Sequence, residues 1–345
     1  MTASKATAAA MDANEFLQAG GFVEGYDPFD DAKPMGSQGP GEEMDSIGLP
    51  PTYASLLQPT WEECLRWQSG DVQAIPTPWP SLNKRLPGGF VPGLHYLVGR
   101  PKDGKTGAAI QVAHHAASKG VPVLYVALEL THREVATRLV TVLSPREWWS
   151  RLCYGKAPKD AIDAAFRHAQ ENPLAAPVYL GGRIGDYDSV SLMAEAQRVR
   201  QGHPDGPLLV VLDYLQRMRG DDRDLRISMR NASSAARNLA AKHDAAVLVV
   251  SATARDKYQM LTGKAGGKLG EGEADRLMGT GKESGDLEYD AESVLALCRE
   301  SRRSDRVYLA VAAARSQGES EEDWHELEVN GPTFVEPLRF QGEEV

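Results

Sequence analysis

The sequence predicts an α/β fold, a mostly parallel twisted sheet with helices on both faces. Three observations carry this. Residues 94–110 form an apolar strand that runs into a glycine-framed loop and then a helix, and Gly99, Gly104, Lys105 and Thr106 fill the pattern G-x-x-x-x-G-K-[ST]. Residues 121–128, 206–213 and 245–251 are apolar runs without polar alternation, as strands covered on both faces should be. Helical stretches alternate with these runs at the spacing of parallel crossovers.

The loop comes first because its chemistry is the most specific. In this pattern backbone N–H groups wrap phosphates, the lysine reaches the outer phosphates and the hydroxyl ligates Mg²⁺. Residues 96–98 supply the strand, and residues 107–117 supply a helix whose N-terminal dipole favours anions. Gly99, Arg100, Pro101, Lys102, Asp103, Gly104, Lys105, Thr106 and Gly107 are therefore the expected nucleotide cradle. A merely structural turn has no use for Lys105 and Thr106.

Composition sets outer limits. A chain of 345 residues can bury a sizeable core, and its net charge of -10 disfavours a surface-wide nucleic-acid binder while leaving room for a local basic groove or ring lumen. Cys64, Cys153 and Cys298 show no C-x-x-C spacing, so neither a disulfide framework nor a zinc site is expected. No signal-peptide core and no run of ~18 apolar residues is present, which predicts a soluble, cytoplasmic protein with no membrane partner.

Residues 1–50 mix Gly, Pro and acids with few aliphatics and are expected to be a disordered tail. Phe16, Phe22, Tyr26 and Phe29 are either scattered aromatics in that tail or a short docking motif for a protein partner. Residues 51–72 read as a linker helix, opened by a Thr60 and Glu63 capping box and continuing to Ser69, with Trp61, Leu65 and Trp67 anchoring it on its own domain or on a neighbouring subunit. Residues 73–320 hold the nucleotide-binding core, entered by a short helix at 81–86 and the Pro92-Gly93 turn.

Glu129 ends the run 121–128, at the strand end that faces ligand in open α/β sheets, and is the candidate general base. Thr131 and Glu134 form a capping box, so Glu134 is structural. Residues 144–176 read as helical and 178–180 as a strand, while Trp148 and Trp149 are packing residues or a base-stacking platform. An amphipathic helix at 189–201 precedes the run that ends in Asp213, a carboxylate placed to order the Mg²⁺ hydration shell near Thr106. A helix at 226–242 leads to the strand at 245–251. Residues 256–281 read as a mobile loop in which Lys257, Lys264 and Lys268 contact a DNA backbone or are simply solvated. Strands follow at 293–298 and 306–313, with Arg315 just beyond, and residues 321–345 contain strand-like pieces at 326–329 and 333–335.

Four stretches give the chain a resemblance to the RecA-like ATPase domain of DnaB-type replicative helicases and their RepA-like relatives, from about residue 75 to residue 318. They are Gly99-Arg-Pro-Lys-Asp-Gly-Lys-Thr106, Ala127-Leu-Glu-Leu130, Leu212-Asp-Tyr-Leu-Gln-Arg-Met218 and Lys282-Glu-Ser-Gly-Asp-Leu-Glu-Tyr-Asp-Ala-Glu292. The resemblance implies a RecA-like P-loop ATPase core that uses ATP and Mg²⁺. It makes Glu129 the water-activating acid and Asp213 the Mg²⁺-linked carboxylate, with Arg315 a finger on the neighbour's phosphate. It also implies a homo-oligomer, a hexameric ring acting on single-stranded DNA. Where the family has S-Q, this chain has Ser251-Ala-Thr-Ala-Arg255, leaving Thr253 or Arg255 to substitute for the glutamine. Where it has K-x-R-x-G, this chain has Ala313-Ala-Arg-Ser-Gln-Gly318. Both departures, and the lack of a recognisable collar, also fit a KaiC-like or mediator-type ATPase that regulates or scaffolds without unwinding.

Overall fold

The structure is a computed structural model that describes residues 52–70, 74–143, 149–185, 187–218, 225–252, 291–299, 304–316, 318 and 324–337. Contacts divide the chain into two units, Met1–Leu57 and Gln58–Val345. The helix α1, Tyr53–Ser69, crosses that division and buries none of its residues. It begins at Tyr53 rather than after Thr60, because Thr52 is its cap: Thr52 Oγ1 accepts from the Ser55 N–H at 3.2 Å. Glu63 is consequently interior and pairs with Arg66 Nη1 at 2.8 Å and Trp67 Nε1 at 3.1 Å instead of closing a capping box.

The core alternates strands and helices in chain order: α2 (Pro80–Arg85), β1 (Gly93–Gly99), α3 (Lys105–Ser118), β2 (Val123–Ala127), α4 (His132–Leu143), α5 (Trp149–Cys153), α6 (Lys159–Glu171), β3 (Val178–Gly181), α7 (Ser189–Gly202), β4 (Leu209–Asp213), α8 (Leu225–His243), β5 (Ala246–Ala252), β6 (Ser293–Arg299), β7 (Arg306–Ala314), β8 (Trp324–Asn330) and β9 (Thr333–Val335). The sheet order is β3-β2-β4-β5-β1-β6-β7-β8-β9. It is parallel from β3 to β6 and antiparallel from β6 to β9. The strand-like pieces expected after residue 320 are thus β8 and β9, and they continue the sheet of the core.

Side chains of a strand alternate between faces, and the two faces here carry separate cores. Val123, Tyr125, Leu209, Val211, Leu248 and Val250 pack with Ile110, Ala113 and Ala117 of α3, whereas Leu124, Val126, Val210, Leu212, Val247 and Val249 pack with Leu192 of α7 and Ala236 and Leu239 of α8. That division is why the strand sequences are apolar throughout.

Register then places the site. Gly99 pairs with Ala252 and Asp213 with Val250, so the ends of β1 and β4 share one rim of the sheet with β5 between them. β7 runs the other way: Ala314 pairs with Ser293, which pairs with His95 near the start of β1. Arg315 therefore lies at the opposite rim, about 20 Å from the loop by the rise of a seven-residue strand.

Candidate functional site

The loop after β1 is shaped by two glycines. A Cβ on Gly99 would stand 2.5 Å from the Leu297 carbonyl oxygen, and Gly104 adopts φ 105° with a Cβ position 2.6 Å from Phe334 Cζ. Lys102 also takes a left-handed φ of 75°, and with Pro101 it is exposed at the loop's turn. Arg100 and Asp103 brace the loop from inside: Arg100 Nε donates to the buried Asp103 carboxylate at 3.2 Å, and Arg100 Nη2 donates to the Arg299 carbonyl. Gly104 is the N-cap of α3 without a side-chain cap, and the first turn carries no acid. The opening N–H groups of Lys105, Thr106 and Gly107 thus form a positive helix end suited to an anion.

Lys105 Nζ donates to the carbonyls of Gly99 at 2.7 Å and Arg100 at 2.8 Å. Burial lowers its pKa, while Asp103, Asp213 and Glu129 pull the other way. Thr106 Oγ1 donates to Asp213 Oδ1 at 3.3 Å, and the buried Tyr125 hydroxyl donates to Asp213 Oδ2 at 2.7 Å. Burial raises the Asp213 pKa, and the bonds from Tyr125 and Thr106 oppose that rise. Glu129 is exposed just past β2, close enough to Lys105 and Asp213 to interact electrostatically with both.

α4 follows Glu129 through the expected capping box: the Thr131 N–H donates to Glu134 Oε2 at 3.0 Å and the Glu134 N–H to Thr131 Oγ1 at 3.2 Å. The bonds that the Thr131 N–H and hydroxyl donate to its carboxylate hold Glu134 below its usual range. Two turns along, Arg138 stacks its guanidinium 3.6 Å from the Trp149 ring centroid, so Trp149 is a packing residue. Arg138 is partly buried and interacts electrostatically with Glu134, Tyr125 and Asp213. On the far side of Asp213, Gln216 Nε2 donates to Ser251 Oγ at 2.8 Å, tying the turn after β4 to the tip of β5.

The structure therefore brings Lys105, Thr106, Glu129 and Asp213 together at one rim and leaves Arg315 at the other. There Arg315 Nη1 pairs with Glu292 Oε1 at 3.3 Å, and the Arg315 N–H donates to the Glu292 carbonyl at 2.9 Å. The Glu292 N–H in turn donates to the Leu94 carbonyl at 2.7 Å. Thr253, Arg255, Lys257, Lys264, Lys268, Trp148, the tail aromatics and residues 282–290 lie outside the described residues. Sequence reasoning missed Tyr125 and Arg138. The only signal for either was a phenol in an aliphatic strand and an arginine one turn after a capping-box glutamate.

Thr106 and Asp213 offer two hard oxygens, the donor set that suits Mg²⁺. Among the described residues no group of three or more His, Cys, Asp or Glu could hold a metal ion, so a cation held by this pair would need further ligands from elsewhere. Nor, among those residues, is any helix long and apolar enough to cross a membrane.

Comparison with known proteins gives three findings. The family described as DnaB-like helicase C terminal domain matches residues 74–343. The replicative DNA helicase DnaB of Leifsonia xyli subsp. xyli (strain CTCB07) is 27% identical over 81% of this chain and 57% of its own length, and that of Geobacillus stearothermophilus is 23% identical over 69% and 50%. The chain thus spans about half the length of these curated relatives. Among solved structures, the ATPase domain of G40P matches with a TM-score of 0.65 at 19% identity, covering 83% of this chain and 99% of that one. A DnaB-like replicative helicase solved with attention to its interactions with primase matches with a TM-score of 0.63 at 18% identity, covering 83% and 67%. These likenesses establish the RecA-like fold.

Proposed function

Because the chain belongs to the DnaB-like helicase C-terminal domain family, we propose that it is an ATP-hydrolysing subunit that works only in contact with a second copy, in a ring acting on single-stranded DNA. The observation that carries this reading is the placement of Arg315 about 20 Å from the loop of its own chain. No arginine side chain covers that span, yet a head-to-tail neighbour brings the two rims together, and such a contact closes into a ring when its rotation allows.

In the proposed site the ATP phosphates lie on residues 99–107 with their charge facing the start of α3. Lys105 leaves the Gly99 and Arg100 carbonyls for the outer phosphates. Thr106 and Asp213 hold Mg²⁺, which when bound neutralises the phosphate oxygens. Glu129, exposed beside them, orients the attacking water, and the neighbour's Arg315 stabilises the charge that develops on the transferred group. Hydrolysis is then positioning and electrostatics. Arg138 adds a cation behind the Asp213 carboxylate.

One observation favours a second reading. The family's lysine two residues before the finger is Ala313 here, packed against the apolar core. A site with one fewer cation suits an ATP-held switch that governs assembly, as in a regulatory ATPase.

Subunit mixing tests the first reading. Lys105→Ala and Arg315→Ala proteins should each lack ATPase activity. Equal mixing should restore roughly a quarter of wild-type turnover, since that share of interfaces pairs an intact loop with an intact arginine. No recovery on mixing, with both variants folded and assembled, would reject the shared site. ATPase activity indifferent to single-stranded DNA would favour the switch.

A further inference from the structure

We propose that Tyr125 is a positioning residue for the cation: its phenol holds Asp213 Oδ2 so that the carboxylate presents one oxygen, Oδ1, beside Thr106. The inference rests on the reading of Thr106 and Asp213 as the Mg²⁺ pair and goes beyond it by naming what fixes their geometry.

Tyr125 pairs with Val211 of β4, two residues before Asp213, so Tyr125, Val211 and Asp213 share the face that packs on α3. The tyrosine is fully buried between apolar neighbours, and a phenylalanine would fill the same volume. Its hydroxyl is satisfied by the 2.7 Å bond to Asp213 Oδ2, and Thr106 Oγ1 reaches the other oxygen at 3.3 Å. A buried phenol without a partner would be costly, and a buried carboxylate is equally in need of donors, so each fixes the other. The torsion of the carboxylate is thereby set from behind, within a packed strand and away from the exposed rim where a nucleotide would move things.

The consequence is a preference among cations. Mg²⁺ demands near-ideal octahedral geometry, keeps several waters and tolerates a single carboxylate oxygen, whereas Ca²⁺ accepts bidentate carboxylates and irregular shells. A carboxylate with one oxygen engaged by a phenol cannot turn to chelate. Releasing it should weaken Mg²⁺ and relax the discrimination against Ca²⁺. Partners of this kind, one bond removed from the ligand, are worth 10–100-fold in metal affinity.

The test is Tyr125→Phe in the full chain, with Mn²⁺ binding in the presence of ADP followed by electron paramagnetic resonance and Mg²⁺ and Ca²⁺ competing against it. Expected are a fall of roughly tenfold in Mg²⁺ affinity, a smaller change for Ca²⁺ and unchanged metal-free ADP affinity. In an Asp213→Asn background Tyr125→Phe should change neither ion's affinity further. Equal Mg²⁺ affinity in the wild-type and Phe proteins would overturn the proposal. So would loss of Mg²⁺, Ca²⁺ and metal-free ADP binding in the same proportion, which marks a packing residue. If Asp213→Asn and Thr106→Val leave Mg²⁺ affinity intact, it is the underlying metal reading that has failed. Tyr125→Met, which keeps apolar volume without the hydroxyl, carries the same expectation should the Phe variant fold poorly.

Discussion

Replacing Gly104 by alanine should damage the loop twice over, and the structure separates the two contributions. The backbone at Gly104 has φ 105°, where an L side chain is strained by roughly 1–2 kcal/mol. The new Cβ would also meet Phe334 Cζ at 2.6 Å, about 1 Å inside ordinary carbon contact. Phe334 cannot retreat freely. Its carbonyl accepts from Trp79 Nε1 at 3.1 Å and Gln111 Nε2 at 2.8 Å, and its N–H donates to Gln111 Oε1 at 2.9 Å. Overpacking of this kind costs about 1–3 kcal/mol, so the total is on the order of 2–5 kcal/mol, a fall of roughly 4–20 °C in Tm for a domain of this size. Phe334→Leu gives room for the Cβ. A double-mutant cycle followed by thermal unfolding should then recover the packing part, about 1–3 kcal/mol, while the backbone strain persists. Strict additivity of Gly104→Ala and Phe334→Leu would show that the two residues do not press on one another, and the account of β9 as a support for the loop would fall.

Two further outcomes can be measured. His95 is fully buried, bonded to Ser293 Oγ and the Val91 carbonyl at 2.8 Å each, and burial lowers its pKa from 6.5 to about 4. The unfolded chain then takes up a proton first, so stability is intact above pH ~6.5 and is lost as pH falls toward 4, by about 2 kcal/mol at pH 5. Urea midpoints of wild type and His95→Gln should show a pH slope that the variant lacks. Glu292→Gln should change stability by no more than about 0.5 kcal/mol, because its partner Arg315 is half-exposed. It should nonetheless lower kcat at unchanged KM for ATP by loosening the arginine, and steady-state kinetics in the assembled protein would show a parallel rise in KM if Glu292 instead supports nucleotide binding.

The strands and the loop were legible because each is a local pattern. Doubly covered strands must be apolar at every position, so β2, β4 and β5 stand out without any knowledge of their neighbours. The loop stands out because backbone wrapped round a phosphate tolerates few residues at Gly99 and Gly104. What was hidden depends on register. Tyr125 looks like any aromatic in a strand until β2 is laid beside β4, and Phe334 is more than two hundred residues from the loop it touches. The start of α1 was misplaced for a related reason: Thr60 and Glu63 fill a capping-box pattern, but the Thr52 hydroxyl caps the helix earlier through the Ser55 N–H, and the helix runs through Pro59. Arg315 was legible as a residue but not as a position. Its distance from the loop follows from the reversal of β7 against β6, which no local pattern records.

That reversal bears on the charge of the site. Around the start of α3 the chain gathers the carboxylates of Asp103, Glu129 and Asp213, and all three act on Lys105. Arg138 is drawn toward Asp213 and Glu134, and Arg100 is engaged with Asp103 and the Arg299 carbonyl. Lys105, Arg138 and Arg100 thus each face acids of the same chain, whereas in the proposed function a nucleoside triphosphate brings several negative charges that must be neutralised as the terminal bond breaks. The helix N-terminus contributes only about half a charge. In the proposed function two sources add to what the described residues of this rim supply, a divalent cation on Thr106 and Asp213 and a guanidinium from another copy. In the proposed function, a site left short of positive charge in this way would hold its nucleotide without rapid turnover until the neighbour's Arg315 arrives, which would make assembly and hydrolysis one event.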